Sequence, residues 1–367
     1  MDDGARIYLE DGTVVDGVGF GAQSTAVGEV VFTTAMNGYP ESLTDPSYKG
    51  QILVITHPLV GNYGVPKRNV KEGILGNFES EKIAISGLVV GEVTYGTKWN
   101  SVKSIDKWMS MEGIPGICNV DTRALTKKIR DSGAMMGVIA KARSNANVDA
   151  LLKNKYGSIE LIRSVSPKKP IFHNNPMSNK NVVIVDFGVK HGILQSLYEL
   201  GYNLIRVPFE YSADKIMSFE PDGILYSNGP GDPNLLEKEA ENFNDVLEHG
   251  IPMMGLCLGH QIAIKALGGR VEKMKFGHRA INKPVMDLET KKAYITTHNH
   301  GYAAYRKNLP QDLKEWFVSL DDGVVEGTKS LRHKLITTQF HPEARPGTKD
   351  AHYVFGVFDK MINDANK

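Results

Sequence analysis

From residue 181 onward, unbroken apolar runs alternate with segments whose apolar residues recur every three or four positions. Asn181-Val-Val-Ile-Val-Asp186 predicts a buried strand, and Ile193, Leu197 and Leu200 predict a helix after it. Asn203-Leu-Ile-Arg-Val207 and Gly223-Ile-Leu-Tyr226 predict two more strands. This rhythm implies an open, mainly parallel α/β sheet with helices on both faces, which gathers functional groups at the carboxyl ends of its strands. The first part of the chain reads differently. Ala5-Arg-Ile-Tyr-Leu-Glu10 and Thr13-Val-Val15 flank Asp11-Gly12 as the arms of a hairpin do, and Gln51-Ile-Leu-Val-Ile-Thr56 is a further strand. Asp121 is placed to cap a helix through Leu125 and Ile129 that ends near Gly133. Residues 164–180 carry three prolines and little periodicity. The expected organisation is a glycine-rich mixed β/α domain over 1–163, a linker over 164–180 and an α/β domain over 181–367.

A chain of 367 residues is long enough for two domains with substantial cores. Lys plus Arg number 43 and Asp plus Glu 42, so no overall field favours a polyanion and no nucleic-acid partner is expected. Two cysteines, Cys118 and Cys257, fit a reducing compartment better than a disulfide framework. Met1-Asp2-Asp3-Gly4 is acidic and lacks an apolar signal core, and no apolar stretch is long enough to cross a bilayer. The expectation is a cytoplasmic protein with no membrane partner.

Chemistry concentrates in three short segments. Met254-Gly255-Leu256-Cys257-Leu258-Gly259-His260-Gln261 reads as a G-x-C-x-G nucleophile elbow, with an apolar approach before it and helical spacing after it. Small residues at 255 and 259 let the turn close sharply, and the N–H groups of a helix start favour a thiolate at Cys257. Tyr226-Ser-Asn-Gly-Pro-Gly-Asp-Pro233 follows a predicted strand as a rigid turn. From there a backbone N–H, that of Gly231, is placed to join the N–H of Leu258 in the two-donor oxyanion hole that acyl transfer needs. In Leu335-Ile-Thr-Thr-Gln-Phe-His-Pro-Glu343, Pro342 turns the chain, and His341 and Glu343 lie two apart on one side of an extended segment. A histidine that takes a proton from a thiol and returns it to a leaving amine, steadied by a carboxylate, completes a Cys-His-Glu triad.

Other motifs carry less. Asp186-Phe187-Gly188 is unaccompanied by a kinase catalytic loop, and Gly17-Val-Gly-Phe-Gly21 is not followed by a helical pattern, which leaves a glycine-rich β turn. His298-Asn299-His300 puts two imidazoles on one side of a strand, but no cysteine or carboxylate set at ligand spacing accompanies them, so no metal is expected. Cys118 reads as a core residue.

With these segments assembled, the chain resembles the class I glutamine amidotransferases. Thr34-Ala-Met-Asn-Gly-Tyr-Pro-Glu-Ser-Leu-Thr-Asp-Pro-Ser-Tyr48, Asp121-Thr-Arg123, Val185-Asp-Phe-Gly-Val-Lys190, Lys275-Phe-Gly-His278 and Asn299-His-Gly301 narrow the likeness to the small subunits of carbamoyl phosphate synthetases, over nearly the full length. The resemblance implies a glutaminase that forms a covalent thioester, with Cys257 as nucleophile, His341 as acid-base and Glu343 as its orienting partner. It implies glutamine contacts at Ser47, Gly229, Gly231, Leu258, Gln261, Asn299, Gly301 and Tyr302. It also implies a large synthetase subunit that receives ammonia through a tunnel and uses ATP and bicarbonate to make carbamoyl phosphate for arginine and pyrimidine synthesis. No cofactor is expected on this chain, since nothing in it resembles an ATP-grasp or a P-loop, and ATP and Mg are expected on the large partner. In Phe276-Gly-His-Arg-Ala-Ile-Asn-Lys-Pro284, Ala280 stands where the family usually has glycine and Lys283 where histidine is common. Two other readings are an amidotransferase subunit of a different synthase, which the N-terminal motifs oppose, and a silent regulatory subunit, which the intact triad opposes.

Overall fold

The hairpin around Asp11-Gly12 forms as its residues require. Gly4–Leu9 and Val14–Gly21 pair antiparallel with Arg6 opposite Asp16, and Gly12 turns at φ 85°. The computed structural model describes residues 4–96, 98–141 and 144–365, so the acidic start read at Met1 to Asp3 lies outside the described residues. Ala26–Thr33, Gln51–Ile55, Gly87–Val89, Pro115–Cys118 and Met135–Lys141 join the hairpin in a closed barrel. Gly17-Val-Gly-Phe-Gly21, expected as a turn, lies within the strand Val14–Gly21. A Cβ at Gly17 would come 2.5 Å from the Cys118 carbonyl oxygen, so glycine there permits close strand approach in the barrel wall. The helix Thr122–Ser132 is capped as expected: the Ala124 N–H donates to Asp121 Oδ1 at 2.9 Å, and Gly133 ends it at φ 99°. Cys118, expected in the core, is only half-buried at the end of its strand.

The chain divides into two units, Met1–Asn69 with Asn77–Tyr156 and Val70–Gly76 with Gly157–Lys367. The second unit thus includes a small hairpin from the first part of the chain, Val70–Lys71 with Ile74–Leu75, where the Leu75 N–H donates to His191 Nδ1 at 2.8 Å.

The second unit is built on a ten-stranded sheet. Its order is Ile171–His173, Asn203–Pro208, Asn181–Asp186, Gly223–Tyr226, Met253–Leu256, Leu335–Thr338, Val325–Ser330, Leu313–Ser319, Glu272–Asp287, Ala293–Ala303. The strands from Asn203–Pro208 to Leu335–Thr338 run parallel, and those on both flanks are antiparallel. Residues 164–180, read as a linker, contain the edge strand Ile171–His173; three residues are too few to show a period.

The unbroken apolar runs reflect burial on both faces of the central strands. Val183, Val185, Ile224 and Met253 pack on one side with Phe243 and Ile262. Val182, Ile184, Leu225 and Met254 pack on the other with Ile193, Leu197 and Phe358. Because Gly223–Tyr226, Met253–Leu256 and Leu335–Thr338 are parallel neighbours, with Leu256 opposite Thr338, the segments after all three emerge at one edge of the sheet.

Candidate active site

Cys257 sits where Met253–Leu256 gives way to the helix Leu258–Ala266, at φ 52° and ψ −98°. Backbone strain of this kind costs roughly 1–3 kcal/mol in a non-glycine residue and persists only where its surroundings fix it. Three hydrogen bonds fix it here. The Cys257 N–H donates to the Thr338 carbonyl at 2.8 Å, the Gly259 N–H to the Ser227 carbonyl at 3.0 Å, and the Gln261 N–H to the Cys257 carbonyl at 3.2 Å. The flanking glycines are sterically required, since a Cβ at Gly255 would lie 2.7 Å from the Gly259 carbonyl oxygen and one at Gly259 2.1 Å from that of Tyr226. Leu258 opens the helix, which places its N–H among the donors that a helix start leaves without an intrahelical acceptor.

His341 is held by its own N–H, which donates to the Thr297 carbonyl at 2.8 Å. Its ring Nδ1 lies 2.8 Å from Glu343 Oε1, and the same carboxylate oxygen lies 2.8 Å from Lys190 Nζ. Lys190 Nζ also donates to the Arg345 carbonyl at 2.8 Å. All of Cys257, His341, Glu343 and Lys190 are buried. Burial disfavours a charge on His341, but the Glu343 carboxylate outweighs it and, with the nearby Cys257 side chain, lifts the imidazole to about 10. Burial also resists a charge on Glu343, yet Lys190 and His341 hold that carboxyl well below the usual range. The carboxylate therefore stays ionised and favours the protonated ring. Nε2 of His341, the ring nitrogen not engaged by Glu343, has no hydrogen-bond partner of its own and is the nitrogen available to exchange a proton with the reacting groups.

Around the sulfur, Cys257 Sγ lies 3.7 Å from the Asn299 carbonyl oxygen and 3.6 Å from Gln339 Nε2. Gln261 Nε2 donates to the Tyr302 carbonyl at 2.9 Å and to Gln339 Oε1 at 3.0 Å, so this side chain braces the strand Ala293–Ala303 and the glutamine beside the thiol. Gly229 packs against the elbow: a Cβ there would meet the Phe187 carbonyl oxygen at 2.5 Å and Leu258 Cδ2 at 3.0 Å. Gly231 occupies the same turn at φ 102°. Gly301 follows Asn299 on the edge strand, where a Cβ would come 3.1 Å from Arg279 Nη2. Ser47 belongs to the first unit, buried in the short turn Pro46–Tyr48 with its N–H donated to Asp45 Oδ1 at 2.9 Å. Ala280 and Lys283 lie directly across the sheet from that edge strand, opposite His298 and Thr296.

Lys190 stands in the sequence only as the end of a motif, and Gln339 carries no local signal of its own. A lysine before a helix reads as solvated surface, and only the fold shows that its partner is Glu343. His298 and His300, set aside for want of a carboxylate at ligand spacing, stand beside His278 and Glu326, which come from two other strands.

A strained cysteine after a central parallel strand, a buried His-Glu pair from the neighbouring strand and a glycine turn beside them define a class I glutamine amidotransferase domain. The family described as "Glutamine amidotransferase class-I" matches residues 183–361, and "Carbamoyl-phosphate synthase small chain, CPSase domain" matches residues 7–139. Carbamoyl phosphate synthase small chains from Metallosphaera sedula and Sulfolobus acidocaldarius are 58% and 57% identical, over 97% of this chain and 95% and 96% of theirs. The arginine-specific small chain from Neurospora crassa is 43% identical over 98% of this chain and 80% of its own. The chain belongs to the carbamoyl phosphate synthase small chain family. Among the described residues, no helix is long and apolar enough to cross a membrane.

Proposed function

We propose that this chain is the glutaminase subunit of a carbamoyl phosphate synthase and that Cys257, His341 and Glu343 carry the hydrolysis. The observation that supports this most strongly is the buried Cys257 elbow beside an imidazole tied at 2.8 Å to an ionised carboxylate. With the thiol proton held on His341, Sγ attacks the side-chain carbonyl carbon of glutamine. The carbonyl oxygen, now negative, is met by the N–H of Leu258 and that of Gly231. Collapse of the tetrahedral adduct breaks the C–N bond, and His341 gives its proton to the departing nitrogen, leaving a γ-glutamyl thioester and ammonia. Water then attacks the thioester with His341 as base, releasing glutamate and restoring the thiol. Glu343 keeps its charge throughout and steadies the imidazolium, and Lys190 keeps Glu343 ionised.

Within the second unit glutamine is bound through Gly229, Gly231, Leu258, Gln261, Asn299, Gly301 and Tyr302, where backbone and amide groups suit a zwitterion while the carboxamide reaches the sulfur. Gln261 acts largely by holding Tyr302 and Gln339. Ammonia freed into neutral water becomes ammonium, which is not a nucleophile, so its transfer must be protected. The acceptor is a large chain that carries ATP and Mg and converts bicarbonate and ammonia to carbamoyl phosphate, in the cytoplasm. The test is to assay glutamine hydrolysis by this chain alone and with the large chain: activity rises on mixing, and carbamoyl phosphate forms only in the mixture. A chain that made carbamoyl phosphate unaided, or that hydrolysed no glutamine in either state, would overturn the proposal.

A further inference from the structure

Four side chains that the glutaminase chemistry does not use converge at the antiparallel end of the sheet. His278 comes from the strand Glu272–Asp287, His298 and His300 from Ala293–Ala303, and Glu326 from Val325–Ser330. His278 lies directly opposite His300 across the ladder, and residues 298 and 300 share a face because successive side chains alternate along a strand. All four are buried, Glu326 completely, and one ligand atom from each lies within 4.8 Å of the others.

The separations between those atoms are informative. His278 Nδ1 is 3.4 Å from Glu326 Oε1, His298 Nδ1 is 3.5 Å from Glu326 Oε2, His298 Nδ1 is 3.3 Å from His300 Nε2, and His300 Nε2 is 4.0 Å from Glu326 Oε1. Neither oxygen of Glu326 has a hydrogen-bond partner, nor has His278 Nδ1. A tetrahedral zinc ion with bonds of about 2.0–2.2 Å holds its ligand atoms about 3.3–3.6 Å apart.

The outward-facing nitrogens are each occupied. His278 Nε2 is 2.8 Å from Asp322 Oδ2, and His300 Nδ1 is 2.9 Å from the Tyr302 carbonyl oxygen. His298 Nε2 is 2.7 Å from Thr296 Oγ1, whose own proton goes to the Lys283 carbonyl at 2.9 Å. Three acceptors on the outside place the ring protons there and turn bare lone pairs inward, as in histidines oriented to hold a metal. Three lone pairs and a carboxylate facing one another in a buried space repel unless a metal ion, or a proton on His278, lies between them.

We propose that His278, His298, His300 and Glu326 form a structural site for a divalent cation of the zinc class. Imidazole with one carboxylate suits zinc, and four protein ligands leave no open coordination position, which fits a structural site rather than a catalytic one. The ion ties three strands together around Asn299, which stands between two of the ligands and whose carbonyl faces Cys257 Sγ at 3.7 Å. Its role is to fix the edge strand on which the substrate contacts are carried.

The experiment uses the full chain stripped with chelator, reloaded with Zn²⁺ and dialysed, with metal measured by mass spectrometry and with Co²⁺ as a spectroscopic substitute. About one zinc per chain is expected to remain, the Co²⁺ form should show the intense visible bands of a four-coordinate ion, and His298→Gln should reduce the zinc to about a tenth. Asp322→Asn, at a more exposed position outside the ligand set, keeps the test open if His298→Gln fails to fold; it should weaken Zn²⁺ affinity by about 10–100-fold. Failure of the folded wild-type chain to retain Zn²⁺ would overturn the site. So would zinc content and affinity unchanged in both variants, or an X-ray absorption spectrum showing sulfur in the first coordination shell.

Discussion

Lys190 and Glu343 form a buried ion pair at 2.8 Å, so removing the lysine charge leaves a carboxylate stranded beside His341. Lys190→Met keeps much of the side-chain volume and deletes the charge. Breaking a buried pair by removing one partner costs about 3–5 kcal/mol, because the remaining charge has lost its compensation. His341 still contacts the carboxylate at 2.8 Å, which places the expected loss near the lower end, about 3 kcal/mol. Glu343→Gln alone strands the ammonium and should cost a similar amount. The double variant has no unpaired charge, so its loss should fall short of the sum of the single losses by about 1–3 kcal/mol. Urea denaturation of the four proteins, followed by a probe in the second unit, gives the cycle. Glutamine hydrolysis in Lys190→Met should fall by about tenfold for each 1.4 kcal/mol by which the transition-state imidazolium is less well supported. Additive losses in the cycle, or a Lys190→Met protein as stable and active as the parent, would refute the view that Lys190 holds Glu343 ionised.

Three other outcomes follow from the site. Thiol-directed alkylation should modify Cys257 ahead of the half-buried Cys118 and be slowed by glutamine; mass spectrometry showing equal labelling of both would contradict the nucleophile assignment. His341→Asn should lower glutamine hydrolysis nearly as far as loss of the thiol, whereas Glu343→Gln should leave more activity, an order that steady-state kinetics will establish or reverse. His341 has its folded-state pKa raised to about 10, against roughly 6.5 unfolded, so the stability from its charged form is complete below about pH 6.5 and lost as pH rises through about 10. The urea midpoint should therefore decline across that alkaline range in the parent and decline less in Glu343→Gln; equal slopes would show that Glu343 is not what raises the imidazole.

What was legible in the sequence was local. The Cys257 elbow needs only a strand, a helix and two glycines within a few positions, and the steric demand at Gly255 and Gly259 is why those residues mark it. His341 and Glu343 are two apart, so their pairing was also readable. The parallel strands were visible because burial on both faces leaves long apolar runs. What was not legible depends on distant segments meeting. The barrel closes only when Met135–Lys141 returns to Gly4–Leu9, and residues 70–76 join the second unit although they lie far from it in the chain. Lys190 looks like surface until Glu343 is placed beside it. His278, His298, His300 and Glu326 have no diagnostic spacing, because their proximity is set by sheet register and not by sequence separation.

The division of labour between hydrolysis on this chain and synthesis on its large partner is tested most directly in the assembled complex carrying Cys257→Ser. Carbamoyl phosphate formation is measured from glutamine and, separately, from a high concentration of ammonia, with ATP and bicarbonate in both. The variant should make no carbamoyl phosphate from glutamine and should make it from ammonia at close to the parent rate, because external ammonia enters after the blocked step. Glutamine-dependent synthesis at the parent rate, or no rescue by ammonia in a complex shown to be folded and assembled, would contradict that division.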